Sequence, residues 1–249
     1  SVIQWQWKED VFPECDQFNG IHEGLVQSWK DIFPKKGEIH FAGALENNED
    51  TGTLQYLAST AMEAGFSTRV LDMQALDLQN GRFFDPAGEL VNRCFKLYPW
   101  EWMVDESPDG CLAEMEWLEP IWKLVMSNKA ILATLYELFP DSPYVLPCYL
   151  SRPRSGLFCK KPVFSREGHN VSVVDIRDWE EYVRIAETEG DYNTGAYVYQ
   201  EYVEPTAYSG RYPVIGSWII GGEAAGIGIR ENRMEVTDNL SEFVPHIIG

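Results

Sequence analysis

A change of hydrophobic period between residues 38 and 71 constrains this chain more than any other feature. Ile39-His40-Phe41-Ala42-Gly43 reads as a buried strand. The next apolar positions, Leu54, Leu57, Ala58, Ala61 and Met62, fall at i, i+3, i+4, i+7 and i+8, the stripe of an amphipathic helix. Gly65 stands where that helix should stop, and Thr68-Arg69-Val70-Leu71 reads as a second strand. Parallel strands need a crossover, so this strand–helix–strand run predicts a βαβ unit. Ahead of it, Val2-Ile3-Gln4-Trp5-Gln6-Trp7 leads through Asn19-Gly20 into an amphipathic stretch carrying Ile21, Leu25, Val26 and Trp29.

Further along the pattern changes. Asn80-Gly81 and Pro86-Ala87-Gly88 mark turns around a hairpin, followed by an apolar stretch at Cys94–Leu97. A helix is expected from Asn128, with Ile131, Leu132, Leu135, Leu138 and Phe139 inward and Pro140 as its end. Ser151–Gly156 is the expected boundary between two lobes, residues 1–150 and 151–249. Beyond it the chain is strand-rich, with strands at Leu157–Val163, Asn170–Val174, Ala196–Val203, Tyr212–Ile220 and Ala224–Arg230. Asp178-x-x-Glu181 has the form of a capping box and predicts a helix burying Trp179, Tyr182, Val183 and Ala186, stopped by Gly190. Gly221-Gly222 predicts a tight hairpin, because both residues accept positive φ. The fold class is α/β: a βαβ lobe, then a mostly antiparallel α+β lobe.

Charge narrows the partners. Lys+Arg 20 against Asp+Glu 39 leaves −19 over 249 residues. Such a chain repels a nucleic-acid backbone and lacks the basic face that anionic membranes select, so neither is an expected partner. No apolar run reaches the roughly 20 residues that span a bilayer, and no signal peptide is seen. Cys15, Cys94, Cys111, Cys148 and Cys159 are scattered and never form C-x-x-C, which fits a reducing, cytoplasmic setting and gives no zinc site. His22, His40, His169 and His246 show no metal spacing. Two glycosylation sequons, at Asn170 and Asn239, read as chance.

P-loop, nucleophile-elbow, H-E-x-x-H and EF-hand motifs are all missing. Lys160-Lys161-Pro162-Val163-Phe164-Ser165-Arg166-Glu167-Gly168-His169-Asn170 stands out instead. A strand ending in lysines enters a loop with Arg and Gly whose backbone N–H groups can close over phosphate oxygens. The same residues also suit an ordinary hairpin turn with solvated charges. Lys129 falls in the first helical turn, where a cation opposes the macrodipole by roughly 0.3–1 kcal/mol unless an anion binds there or the end frays. Tyr199-Gln200-Glu201-Tyr202-Val203 ends a strand with free backbone edges, able to pair with an adenine or simply to lead into a loop.

These segments recur with others in one order. They are Leu97-Tyr98-Pro99-Trp100-Glu101-Trp102, Glu119-Pro120-Ile121-Trp122, Ser127-Asn128-Lys129-Ala130-Ile131-Leu132, Lys161-Pro162 through Asn170, and Tyr199–Val203. Gly216-Ser217-Trp218-Ile219-Ile220-Gly221, Gly226-Ile227-Gly228-Ile229-Arg230-Glu231, Thr237-Asp238-Asn239-Leu240 and Phe243-Val244-Pro245-His246 complete the series. In that order the chain resembles the synthetase part of the glutathionylspermidine synthase family, and more closely its acid–amine ligase branch, which are ATP-grasp enzymes.

The resemblance implies a pre-ATP-grasp Rossmann-like lobe followed by an ATP-grasp lobe, with ATP and Mg2+ as cofactors. It implies that Lys129 and Lys161 hold ATP phosphates, that Gly168 and Arg166 lie in a mobile lid over them, and that Gln200, Glu201, Tyr202 and Val203 form the hinge that reads adenine. Arg230 would lie near the transferring phosphate. Glu49 and Asp50 match an acidic pair near the two substrates, a small carboxylate (a peptide such as glutathione) and an amine. The pair is Glu-Asp here rather than Glu-Glu, so the amine need not be spermidine. Without the family both acids read as complements to a helix dipole. The family's upstream Arg-x-Asp and Glu-Tyr-Asn motifs supply magnesium ligands and acid-substrate contacts. This chain holds no Glu-Tyr-Asn, and Glu201-Tyr202-Val203 is no substitute. It is therefore expected to be the carboxy-terminal portion of a longer ligase, incomplete alone, with metal ligands upstream.

Two rivals remain at this point. Nine Trp and 13% aromatics could line a carbohydrate or peptide groove in a non-catalytic binding module, at Trp100, Trp102 or Trp117, although core spacing favours packing. A degenerate ligase serving as a partner subunit is the other.

Overall fold

The structure, a computed structural model, describes residues 2–178, 181–192, 195–236 and 241–249. It divides into two compact units. One comprises Ser1–Leu124, Ser217–Ile227 and Ile247–Gly249; the other comprises Val125–Gly216 and Gly228–His246.

The first unit opens with α1 (Val2–Val11), which buries no side chain, and α2 (Ile21–Ile32), which buries Ile21, Val26 and Trp29. The βαβ unit follows as β1 (Glu38–Gly43), α3 (Asn48–Glu63) and β2 (Ser67–Asp72), with the strands parallel and Ile39 opposite Thr68. Asn47 caps α3, its Oδ1 accepting from Glu49 N at 2.9 Å. Gly65 ends the turn at φ +94°. Leu54, Ala58 and Ala61 pack on Ile39, Phe41 and Trp29. Met62, expected inward, is exposed. It lies roughly 80° round the helix from Leu54, whereas the buried sector leans the other way, towards Thr60. Thr60 is buried because its hydroxyl accepts from the Trp29 indole N–H at 2.9 Å.

A meander of β3 (Asp77–Gln79), β4 (Arg82–Phe84) and β5 (Leu90–Val91) comes next, turning at Asn80-Gly81 as expected. Then β6 (Arg93–Leu97) joins the parallel sheet. After α4 (Trp100–Glu106) and α5 (Pro108–Cys111), β7 (Glu116–Leu118) completes the order β2-β1-β6-β7. Trp100 and Trp117 pack edge to face in a second core with Phe83, Val91 and Met103. Of the three tryptophans considered for an aromatic groove, only Trp102 is exposed.

The titratable side chains of Lys96, His40 and Asp85 are buried here. Lys96 lies 3.9 Å over the Trp100 ring and donates to Tyr98 O at 2.7 Å. Burial pulls its ammonium down to about 8, with Glu101 opposing. His40 stands in β1 with Nε2 3.6 Å from Glu38 and 3.9 Å from Asp85, and neither ring nitrogen has a hydrogen-bond partner. Burial lowers its pKa, against the pull of Glu38 and Asp85. Asp85 is held below the ordinary carboxylate range, chiefly by the backbone N–H of Glu89 and also by Ala87 N–H and Arg69.

The second unit contains α6 (Leu124–Ser127, its first residue belonging to the other unit), α7 (Ala130–Leu138), β8 (Cys148–Tyr149), β9 (Gly156–Pro162), β10 (Ser172–Ile176), β11 (Tyr182–Glu187) and β12 (Tyr197–Glu201). These strands form an antiparallel sheet in the order β11-β10-β9-β12-β8. The contact of α7 with the sheet runs through Ala130, Leu132, Ala133 and Tyr136, against Cys148 and Val198. Leu138 and Phe139, expected inward, are exposed at the helix end, beyond the reach of that contact.

The helix expected after Asp178 is instead β11. Asp178 Oδ1 does accept from Glu181 N at 2.8 Å, but the bond closes the turn between β10 and β11. The β-prone run Tyr182–Ile185 then pairs with β10. Trp179, expected on that helix, lies outside the described residues. The last sheet, β13 (Tyr212–Ile220), β14 (Glu223–Asn232) and β15 (Glu242–Val244), turns at Gly221 and Gly222 with φ of 61° and 91°. The fold class is the expected one, a parallel βαβ region followed by antiparallel sheets.

Candidate active site

The site is built on β9 and β12. In the register Lys161 stands opposite Val198 and Cys159 opposite Gln200, which puts all four side chains on one face of the sheet. Lys161 Nζ donates to Gln200 Oε1 at 2.7 Å. Burial pushes the Cys159 thiol up; the Lys161 charge opposes this and Glu235 adds to it, so Glu235 also acts on this face. Lys161 and Arg230 make no ion pair among the described residues.

Four residues beyond Lys161 the chain reaches Ser165, where Lys129 meets it. Lys129 is the N-cap residue of α7, and its backbone N–H donates to Val163 O at 2.8 Å. Its amino group hydrogen-bonds the Ser165 carbonyl and hydroxyl, the latter at 2.9 Å. Both expected phosphate lysines thus hold neutral oxygens around the end of β9. A ligand anion could replace those acceptors without having to break an ion pair at Lys161.

The loop from Ser165 to Asn170 turns through left-handed backbone at Glu167 (φ 54°), Gly168 (φ 72°) and Asn170 (φ 55°). His169 N–H closes it onto Arg166 O at 2.9 Å. Residues twenty positions on hold it in place. Thr188 Oγ1 donates to Gly168 O at 2.5 Å, and Tyr192 N–H donates to Asn170 Oδ1 at 2.8 Å. Gly190 packs so closely that a Cβ there would lie 2.5 Å from His169 Cβ. Local sequence signals gave Gly190 as a helix stop and did not single out Thr188 or Tyr192; their role comes from the pairing of β10 with β11.

The strand end Gln200–Val203 is ordered by its neighbours. Glu201 N–H donates to Pro147 O at 2.8 Å, and Tyr202 N–H donates to Leu157 O at 3.0 Å. Tyr202 Oη donates to Glu235 Oε2 at 2.5 Å, and that carboxylate raises the phenol's pKa above its usual range. Val203, past the end of β12, is exposed. Glu235 is a residue that sequence reasoning missed, since no local pattern marks it. Arg230 stands in β14 opposite Phe243, with its guanidinium carbon 5.8 Å from the ring centroid.

Glu49 and Asp50 occupy the first turn of α3 in the other unit, Glu49 exposed and Asp50 half-buried, where acids complement the helix dipole. Among the described residues no three His, Cys, Asp or Glu side chains are grouped to hold a metal ion. No step is assigned to a metal ion here. The expected motif segment 237–240 lies outside the described residues. All five cysteines are free thiols, and among the described residues no helix is long and apolar enough to cross a membrane.

Relatives extend over nearly the whole chain. A Haemophilus influenzae protein bearing the name acid–amine ligase is 35% identical over 260 residues, covering 99% of this chain and 66% of its own length. Trypanothione synthetase of Crithidia fasciculata is 27% identical, covering 97% of this chain and 41% of its own. The bifunctional glutathionylspermidine synthetase/amidase of Escherichia coli is 26% identical, with 100% and 44% covered. The chain thus spans less than two thirds of the length of these relatives. A solved structure from Methylobacillus flagellatus, described as a gamma-glutamylcysteine synthetase, superposes with a TM-score of 0.58 at 10% identity over 92% of this chain and 75% of that one, a likeness of fold. The family described as glutathionylspermidine synthase pre-ATP-grasp matches residues 1–249 from end to end, and the chain belongs to it.

Proposed function

We propose that this chain belongs to an ATP-dependent acid–amine ligase that joins a small carboxylate, such as that of a glutathione-like peptide, to an amine. The observation that carries the reading is the meeting of Lys129, Lys161 and Gln200 around the end of β9, next to a glycine-containing loop. Lys161 and Lys129 bind phosphate oxygens in place of Gln200 and Ser165. Arg166 and Gly168 cover them from the loop. Gln200 to Val203 contact the adenine, and Arg230 neutralises charge at the transferring phosphate. Residues 151–249 form the nucleotide-binding lobe; residues 1–150 form the substrate lobe, where Glu49 and Asp50 attract the cationic amine, together with connecting helices, one of which carries Lys129.

In this reading the substrate carboxylate oxygen attacks the γ-phosphorus and ADP leaves, giving an acyl phosphate. The attacking ammonium first gives up a proton to solvent; the neutral amine then attacks the acyl carbon, phosphate leaves, and a second proton passes to solvent as the amide forms. The protein contributes position and charge, because phosphoryl transfer spreads negative charge over its oxygens. Mg2+ belongs to the reading as the counter-ion of ATP, with no residue of this chain assigned to it. The setting is a reducing cytoplasm, where the thiols stay free.

The test is calorimetric titration of this chain with a non-hydrolysable ATP analogue. Saturable binding lost in both Lys161→Ala and Lys129→Ala supports the assignment; binding that survives both sinks it.

A further inference from the structure

Alternation along β9 sends Lys160 to the face opposite Lys161. There Lys160 stands across from Tyr199 on one side and Ser172 on the other. Beside it lies a cavity of about 70 Å³ lined by Arg152, Lys160, Val174, Ile176, Tyr182 and Tyr199. Val174 and Ile176 are buried to about 1% exposure. The other four side chains are cationic or phenolic.

The cations are held in place. Arg152 stacks over Tyr182 at 4.9 Å, and its Nη2 donates to Asp178 O at 3.1 Å. Its Nε is buried and has no hydrogen-bond partner. An orphaned, buried guanidinium N–H costs free energy until an acceptor meets it. Lys160 Nζ lies 3.9 Å over the Tyr197 ring. Neither cation makes an ion pair among the described residues, and no carboxylate lines the cavity. The nearby Glu187 is already engaged by Arg184 and by the Ser172 hydroxyl. Burial raises the Tyr199 phenol, against the Arg152 charge, and so keeps it a neutral donor.

Size and charge agree on the ligand. One water needs roughly 10–15 Å³ of such space, so 70 Å³ takes a group of a few oxygens. Two positive charges with no lining acid are the reverse of a chain carrying −19. We propose that this cavity binds a compact oxyanion, free phosphate or the phosphate end of a small molecule, between Arg152 and Lys160 on the opposite face of the sheet from Lys161. A guanidinium fork and an ammonium on an apolar floor suit a tetrahedral anion better than an extended nucleotide.

Inorganic phosphate titrated into the chain carrying both Lys129→Gln and Lys161→Gln, followed by calorimetry, tests the site without the lysines of the candidate active site. Saturable single-site binding is expected, weakened about tenfold or more by adding either Arg152→Gln or Lys160→Gln. Circular dichroism and melting on each variant establish that it is folded, and the Lys160 variant keeps the test alive if the Arg152 one unfolds. Phenyl phosphate binding more tightly than phosphate identifies the anion as the head of a larger ligand, and weaker binding identifies the free ion; either result supports the site. No saturable binding, or binding indifferent to both glutamine substitutions, overturns it. ATP-analogue binding retained by Arg152→Gln in the Lys161-containing chain separates this result from the fate of the ligase reading.

Discussion

Lys161 and Gln200 lie diagonally across two antiparallel strands, on one face of the sheet, and the Gln200 amide oxygen accepts from the Lys161 amino group at 2.7 Å. A neutral acceptor steadies the lysine without cancelling its charge. Gln200→Glu should turn that bond into an ion pair that competes with any incoming phosphate. We expect ATP-analogue affinity to fall about tenfold in Gln200→Glu and at least as much in Lys161→Ala, the range of one charge-assisted hydrogen bond. Calorimetric dissociation constants for the three proteins check this.

Gly190 is expected to matter for the loop rather than for any helix. An added Cβ would press on His169 and on Asn170 Oδ1 at 2.9 Å, both within the loop that carries Gly168. Gly190→Ala should cost about 1–3 kcal/mol in urea unfolding and lower analogue affinity several-fold. Unchanged affinity together with the stability loss would show the loop to be a spectator.

The buried Lys96 gives an alkaline signature. Its ammonium titrates at about 8 in the folded state, against an ordinary value of 10.5. Between those values the unfolded chain holds a proton that the folded chain has released, so stability rises with pH across the window. Relative to Lys96→Met, the wild type should gain on the order of 2 kcal/mol between pH 8 and 10.5. Denaturant midpoints at pH 7.5 and 10 measure it, and a flat difference refutes it.

His40 works in the acid direction by the same rule. Its folded pKa lies below 6.5, so the unfolded state takes up the proton first as pH falls. Stability is complete above pH 6.5 and declines below it until the folded value is reached. His40→Gln should flatten that part of the profile, as read by urea unfolding at pH 7.5 and 5.5. A variant as acid-sensitive as the wild type would place the cause elsewhere.

How much of this could be read from the sequence depends on how local each cause is. The βαβ unit was legible because Leu54, Ala58 and Ala61 repeat with the helix and Ile39 to Gly43 fill a strand. Gly221-Gly222 was legible because positive φ is a local demand. The stretch after Asp178 misled because one side-chain bond, Asp178 to Glu181, serves a helix start and a hairpin turn equally well. At the site, Lys129, Lys161 and the loop could be named from the chain. Thr188, Gly190, Tyr192 and Glu235 could not, since only strand pairing and the fold of the second unit bring them there. The Arg152 cavity was invisible for the same reason: Tyr182 reaches it only because β11 is a strand.

The hairpin of β13 and β14 gives its tip, Ser217–Ile227, to one unit, while its flanks count with the other. No single cut of the polypeptide can therefore release either unit whole. A protease that nicked the bond between Gly221 and Gly222 would sever the tip that counts with one unit, between two flanks that count with the other. Calorimetric melting of the intact chain and the nicked one would reveal how far their cooperativity depends on that continuous ribbon.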